Sequence, residues 1–359
     1  MRARDVLLAI FIILVGISIT AARRDVFAKW GQRLQSLNSI SEWGDLVRAP
    51  GIREARQGWR QIDTLRRDAE ADEIKEIVVE CTSGDVRIVG GYTSRIDIEA
   101  RRWGRGNSYL DAAKHARLGN LSVVKEGDRL LISDIGRKRF WKDAGVDFNI
   151  FAPSQLVADI KTTAGNVYIE DMFKGAKATT ASGDIIVYGG AYASVSSASG
   201  NVEIGGVRGP TEARTGSGDL LLYDIIGETR TSAVSGDINI GDLSGALKGS
   251  TVSGDISIKY YVGSKAALRT TSGDIEANVR EKFDGEFSAN SISGDIRLIL
   301  PTDSDCTVDL SSPGGEVSSS TLLQDVSQKH GQLQGRLGSG EGTVTLRSVS
   351  GDIRLNPSN

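Results

Sequence analysis

From Ile77 to the C-terminus, apolar and polar positions alternate in short runs, and a Ser-Gly-Asp triplet or a close variant interrupts them at nearly constant intervals. After each triplet the next residue and the one two further on are apolar, as in Ile185 and Val187, Val202 and Ile204, Ile238 and Ile240, Ile256 and Ile258, and Ile353 and Leu355. Between them stand polar residues such as Glu203, Asn239, Ser257, Arg297 and Arg354. A period of two predicts strands with one face on a core and the other toward water. Ile186 and Leu221 break the rule by placing apolar side chains at the solvent positions, which points to a covered or sticky patch.

The triplets form a repeat. Its glycines fall at Gly165, Gly183, Gly200, Gly218, Gly236, Gly254 and Gly273, then Gly294, with further copies around Gly84 and Gly351. The residue three before the glycine is small or hydroxylated: Thr162, Thr180, Ser197, Thr215, Ala233, Thr251, Thr270, Ser291 and Ser348. If copies stack in register, these side chains make a ladder with steps of about 4.8 Å and a thin core. One rung of about 18 residues has room for two or three short strands and cannot bury its apolar face alone. The chain is therefore expected to be all-β, a parallel β-solenoid or β-helix of Ser-Gly-Asp rungs over 77–359. A sandwich or twisted β-roll is the alternative, because a rung is also long enough for one hairpin. Between Gly84 and Gly165 the motif is missing, yet RIDIEARRW, NLSVVKEGDRLLISDI and VDFNIFAP alternate, so a β-rich insert at about 92–160 is expected to cap the solenoid.

Upstream the pattern changes. Val6 to Ala22 is an unbroken charge-free run flanked by Arg2, Arg4, Arg23 and Arg24. It is close to the minimum of about 17 residues for a spanning helix, and Thr20-Ala21-Ala22 offers a cleavage site. Residues 1–22 are thus a signal anchor or a signal peptide. In the first case the protein is a single-pass membrane protein with its bulk outside the cytoplasm; in the second it is secreted. Residues 23–76 are expected to be a partly helical juxtamembrane spacer, broken near Pro50-Gly51, with Trp59, Ile62, Leu65 and Ala69 on one helical face.

Composition adds little to this picture. Glycine is abundant, with 43 residues against 6 proline, which fits frequent turns. A net charge of −3 gives no general attraction to nucleic acid. Cys81 and Cys306 are the two cysteines and are not expected to pair, while His115 and His330 lack metal or triad spacing. No nucleotide site is expected, since the Gly-rich strings lack a phosphate-loop lysine.

Stacking would align Asp85, Asp184, Asp219, Asp237, Asp255, Asp274, Asp295 and Asp352 in one column, with Asn166 and Asn201 in the same role. The free substitution of Asn points to hydrogen bonding of the turn backbone as the common role. Bound Ca2+ is the lesser alternative because the repeat is not the nonapeptide of calcium-binding rolls, so no cofactor is expected. A polysaccharide-active enzyme would need a unique acidic or basic cluster that departs from the repeat, and none is visible. The best local contact for a ligand or membrane is the basic aromatic pair of segments RRWGR and RKRFWK, with Arg101, Trp103, Arg137, Arg139, Phe140 and Trp141.

The Ser-Gly-Asp-(Ile/Val)-x-(Ile/Val) repeat, together with VDFNIFAPSQLVADIKTTAGNV from Val146 to Val167, resembles the bacterial "putative adhesin" family of β-strand-repeat domains of uncharacterised function. The resemblance spans roughly Ile77 to Asn359. It implies a β-helix-like cell-envelope protein, tied to adhesion or to envelope stress, and carries no catalytic residues over. The expected function is a non-enzymatic envelope protein presenting a rigid solenoid for adhesion, binding or scaffolding. A membrane-anchored envelope-stress sensor is the first alternative and a polysaccharide-active β-helix enzyme the second. Expected partners are the membrane, through the N-terminal segment, and an envelope protein or surface glycan.

Overall fold

The computed structural model describes residues 59–134 and 143–358. Within them the chain is all-β, with two long and mostly parallel sheets of 15 strands each. Each rung gives one strand before its Gly-Asp turn to one sheet and one strand after it to the other. These are called here the pre-turn and post-turn sheets.

Register follows from the apolar alternation. In the post-turn sheet, Val167, Ile185, Val202, Leu220, Ile238, Ile256, Ile275, Ile296 and Ile353 stand opposite one another from strand to strand. All nine are buried. A one-residue slip would turn every one of them outward, so burial locks the register. Facing them from the pre-turn sheet are smaller side chains, among them Ala158, Ala178, Val195, Ala213 and Ala233, which keeps the core thin as the hydroxylated ladder predicts. Where the repeat lengthens past Gly254, the core gains bulk: Tyr261, Phe283 and Phe287 are buried together, with ring centroids of 6.4 Å and 6.3 Å in edge-to-face contacts.

The order of rungs in space departs from the order in sequence at both ends. The strand Ala144–Pro153 of the insert pairs in parallel with Val86–Gly91, outside the first rung. Arg95–Gly106 pairs with Ala144–Pro153 in antiparallel fashion, and Trp59–Glu70 pairs antiparallel with Arg95–Gly106 in turn. The hairpin of Leu121–Glu126 and Arg129–Asp134 closes the same end of the pre-turn sheet. At the other end, Gly351 stacks on Gly294, and the residues between them supply the hairpin Gln324–Lys329 with Gln332–Leu337. Antiparallel hairpins thus blunt both edges of the pre-turn sheet, while the post-turn sheet ends on the antiparallel strand Trp59–Glu70 at one side and the three-residue strand Val317–Ser319 at the other.

One expectation needs correction. Trp59–Glu70 is a strand, although Trp59, Ile62, Leu65 and Ala69 suggested a helix. The spacing of four between Leu65 and Ala69 suits one face of either element, and both pack against the core from the strand. Cross-strand pairs of Arg66 with Glu99 and Arg102 with Asp63 decide the matter. The insert is β-rich as expected, and between the first two of its alternating segments it also holds a short helix, Tyr109–Ala116, capped by Ser108. Among the described residues no helix is long and apolar enough to cross a membrane. The segment Val6–Ala22 and the spacer up to Gly58 lie outside the described residues.

Candidate functional site

The Gly-Asp turns make a continuous ladder. The side-chain Oδ1 of each Asp or Asn accepts the backbone N–H of the equivalent residue one rung along: Asp85 from Asn166, Asn166 from Asp184, Asp184 from Asn201, and Asn201 from Asp219, at 2.8 to 2.9 Å. The series continues through Asp219, Asp237, Asp255, Asp274 and Asp295 to Asp352, which accepts from Glu316. The expected bond within each residue's own turn is therefore replaced by one between rungs. Asn166 and Asn201 serve as well as Asp because only a carbonyl-type acceptor is needed. Beside this column the hydroxyls of Thr215, Thr251, Thr270, Ser291 and Ser348 each donate to the glycine carbonyl of the preceding rung, at 2.9 to 3.1 Å. Cys81 holds the equivalent place in the first rung, its thiol donating to the Val146 carbonyl at 3.4 Å and pushed well up by burial. Both cysteines are free and buried.

Asp237→Asn should therefore leave stability within about 0.5 kcal/mol, since the acceptor survives, whereas Asp237→Ala should cost about 1 kcal/mol. Urea unfolding of the two variants side by side checks this. Equal losses would show that charge, not the acceptor, matters at this position.

The expected contact residues are divided. Arg101 and Trp103 lie on the strand Arg95–Gly106. Arg101 pairs with Glu99 at 2.7 Å. The Trp103 indole N–H donates to Asp147 Oδ1 at 3.0 Å, and that oxygen also takes the Asp85 N–H, so Trp103 braces the first step of the ladder. Arg105 lies 5.4 Å from the Trp103 ring centroid. Arg137, Arg139, Phe140 and Trp141 lie outside the described residues. Among the described residues no group of three or more His, Cys, Asp or Glu side chains is gathered as a metal set.

A second cluster sits on the outer face of the post-turn sheet. Ile186, Glu203 and Leu221 are neighbours in one row, with Tyr168 next to Ile186. Tyr188, Gly205 and Tyr223 are neighbours in the row beside it. Both tyrosine hydroxyls donate to Glu203 Oε1, Tyr188 at 2.5 Å and Tyr223 at 3.1 Å. The two rings lie 6.1 Å apart, tilted by 50°. Gly205 makes this possible: a Cβ there would meet the Tyr223 ring at 2.5 Å. Burial, then the Glu203 carboxylate, raises the Tyr188 hydroxyl far above the ordinary tyrosine range, and burial pushes Tyr223 up to about 12. Both phenols thus stay protonated donors at any physiological pH. Ile186 and Leu221 were the two exceptions in the alternation; the tyrosines, Gly205 and Glu203 as a unit were missed. Counting from each turn places Tyr188, Gly205 and Tyr223 in one row, four residues after Asp184, Asn201 and Asp219, but does not show their contact with Glu203.

A family model described as Toastrack DUF4097 matches residues 151–261 and, in a second overlapping match, 194–356. Among solved structures the chain is similar to a "putative adhesin" from Parabacteroides distasonis, at 13% identity over 82% of this chain and 97% of that one, with a TM-score of 0.41. It is similar also to a "putative lipid binding protein" from the same organism, at 14% identity over 83% and 97%, with a TM-score of 0.41. A "putative adhesin" from Bacteroides fragilis matches at 15% identity over 82% and 97%, with a TM-score of 0.33. No curated protein matches the chain.

Proposed function

The chain belongs to the Toastrack DUF4097 family, and on that footing we propose that it is a non-enzymatic cell-envelope protein that presents a rigid strand-repeat body for binding or scaffolding. One observation carries this reading. The many repeated carboxylates are each committed to a backbone N–H of the next rung, while the outer post-turn face holds a fixed Tyr188–Glu203–Tyr223 cluster flanked by the half-buried Ile186 and Leu221 and the exposed Tyr168. The first set spends its chemistry on structure, and the second has the rigid aromatic and polar surface that recognition uses. The N-terminal segment Val6–Ala22 would hold this body outside the cytoplasm at the membrane.

The test is to incubate the full chain with peptidoglycan, surface polysaccharide and anionic liposomes, scoring co-sedimentation and soluble sugar release in the same tubes. Retention on one of these materials without product is the expected result. Release of sugar fragments would refute the non-enzymatic reading and turn attention to the carboxylates.

A further inference from the structure

The Tyr188–Glu203–Tyr223 cluster is more specific than a generic sticky face. Two aromatic rings 6.1 Å apart and tilted by 50° form the walls of a shallow apolar cleft of low conformational entropy, and the carboxylate that their hydroxyls share accepts hydrogen bonds. Glu203 Oε1 takes both phenol donors, which fixes the side chain and leaves Oε2 for a ligand hydroxyl. A glycine inside a strand weakens it and commonly marks a close approach; here Gly205 leaves room for the Tyr223 ring to reach over the neighbouring rung. The arrangement is therefore built in advance of any ligand, which lowers the cost of ordering on binding.

Charge narrows the occupant. Arg87 beside this face is paired with Glu170, and Arg208 is held by Asp224 through two carboxylate contacts at 2.7 and 2.9 Å. Along the turn edge stand the exposed carboxylates of Asp85, Asp184 and Asp219, close enough for the first two to act on the Tyr168 hydroxyl. An acidic rim with its arginines neutralised repels phosphate headgroups and uronate polymers. A pyranose ring has one apolar face for the tyrosines and equatorial hydroxyls for the carboxylate.

Resting on the binding reading above, we propose that the outer post-turn face formed by Tyr188, Glu203 and Tyr223, with Tyr168, Ile186 and Leu221 around them, is a binding site for an uncharged glycan. One sugar ring lies on the tyrosine pair and hydrogen-bonds Glu203, and its neighbours extend across Ile186 and Leu221.

Titration of the full chain with cellohexaose and chitohexaose, followed calorimetrically and by ligand-observed NMR, tests this against polygalacturonate and phosphatidylglycerol vesicles. A neutral hexasaccharide should bind, and Tyr188→Ala or Tyr223→Ala should weaken it at least about tenfold. The double variant Tyr188→Phe, Tyr223→Phe keeps both rings but releases Glu203 from its two donors, so it should bind more weakly than the wild type and more tightly than either alanine variant, with circular dichroism confirming that all the variants are folded. Neutral binding that ignores the tyrosines would overturn the proposal. Binding of polygalacturonate or vesicles in place of the neutral sugars would overturn it too, yet leave the scaffold reading standing. Failure of every probe, together with no retention on envelope material, would sink both.

Discussion

Gly236→Ala is expected to destabilise the protein by more than about 4 kcal/mol, or to prevent folding of the rungs around it. The backbone there has φ +154, and a Cβ would meet the Gly218 carbonyl oxygen at 1.9 Å and its carbon at 2.6 Å. Gly218 cannot yield: its N–H donates to the Ser235 carbonyl, and the adjoining Asp219 is tied on both sides, its N–H donating to Asn201 Oδ1 and its own Oδ1 accepting from the Asp237 N–H. A control separates close approach from backbone angle. Gly127 also has positive φ, +64, in a hairpin turn, but nothing lies within 4 Å of its Cβ position. Gly127→Ala should cost only about 1 kcal/mol, the strain of the left-handed conformation alone. Thermal unfolding of both variants checks the pair, and similar losses would mean that the tight stacking of rungs is not what demands glycine.

Phe287→Ala is expected to cost about 3 to 5 kcal/mol. Its ring is buried and makes edge-to-face contacts with both Tyr261 and Phe283, so truncation removes one member of a trio and opens a cavity between the other two. The surrounding sheets are hydrogen-bonded rung to rung and can collapse little into the gap. In a stack, each rung depends on its neighbours, so the loss should appear as an early partial transition of the C-terminal rungs rather than a uniform shift. Urea unfolding watched by hydrogen exchange would resolve this; protection lost evenly along the chain would contradict it. Phe287→Leu, which keeps most of the volume, should cost markedly less.

The rungs were legible because their physics is local. Alternation with a period of two, a glycine at a crowded turn and a hydroxyl three residues earlier all lie within one copy, and repetition amplifies each. What was illegible depends on which copies touch. The stacking of Gly351 on Gly294 is invisible to spacing, because the intervening residues leave the stack to build a terminal hairpin. Trp59–Glu70 was misread because a spacing of four serves two periodicities and its partner strand lies far along the chain. The direction of the Asp bonds also depends on the neighbour: the acceptor role followed from Asn substitution, but its partner is the next rung. Of the candidate site, Ile186 and Leu221 showed themselves as violations of a pattern. Tyr188 and Tyr223 did not, because a tyrosine at a solvent position of a strand is unremarkable until register sets it beside a glycine and a glutamate.

The central claim is a division of labour, in which the repeated turn carboxylates hold rungs together and the tyrosine face does the binding. It is tested most directly by retention of surface polysaccharide on three forms of the full chain. These are the wild type, a variant with Asp237, Asp255 and Asp274 all changed to Asn, and a variant with Tyr188 and Tyr223 changed to Ala. The account predicts that the first two retain the polysaccharide equally and that the third loses it while still folded. Loss in the asparagine variant with retention in the tyrosine variant would contradict it, and would make the carboxylate column the working surface.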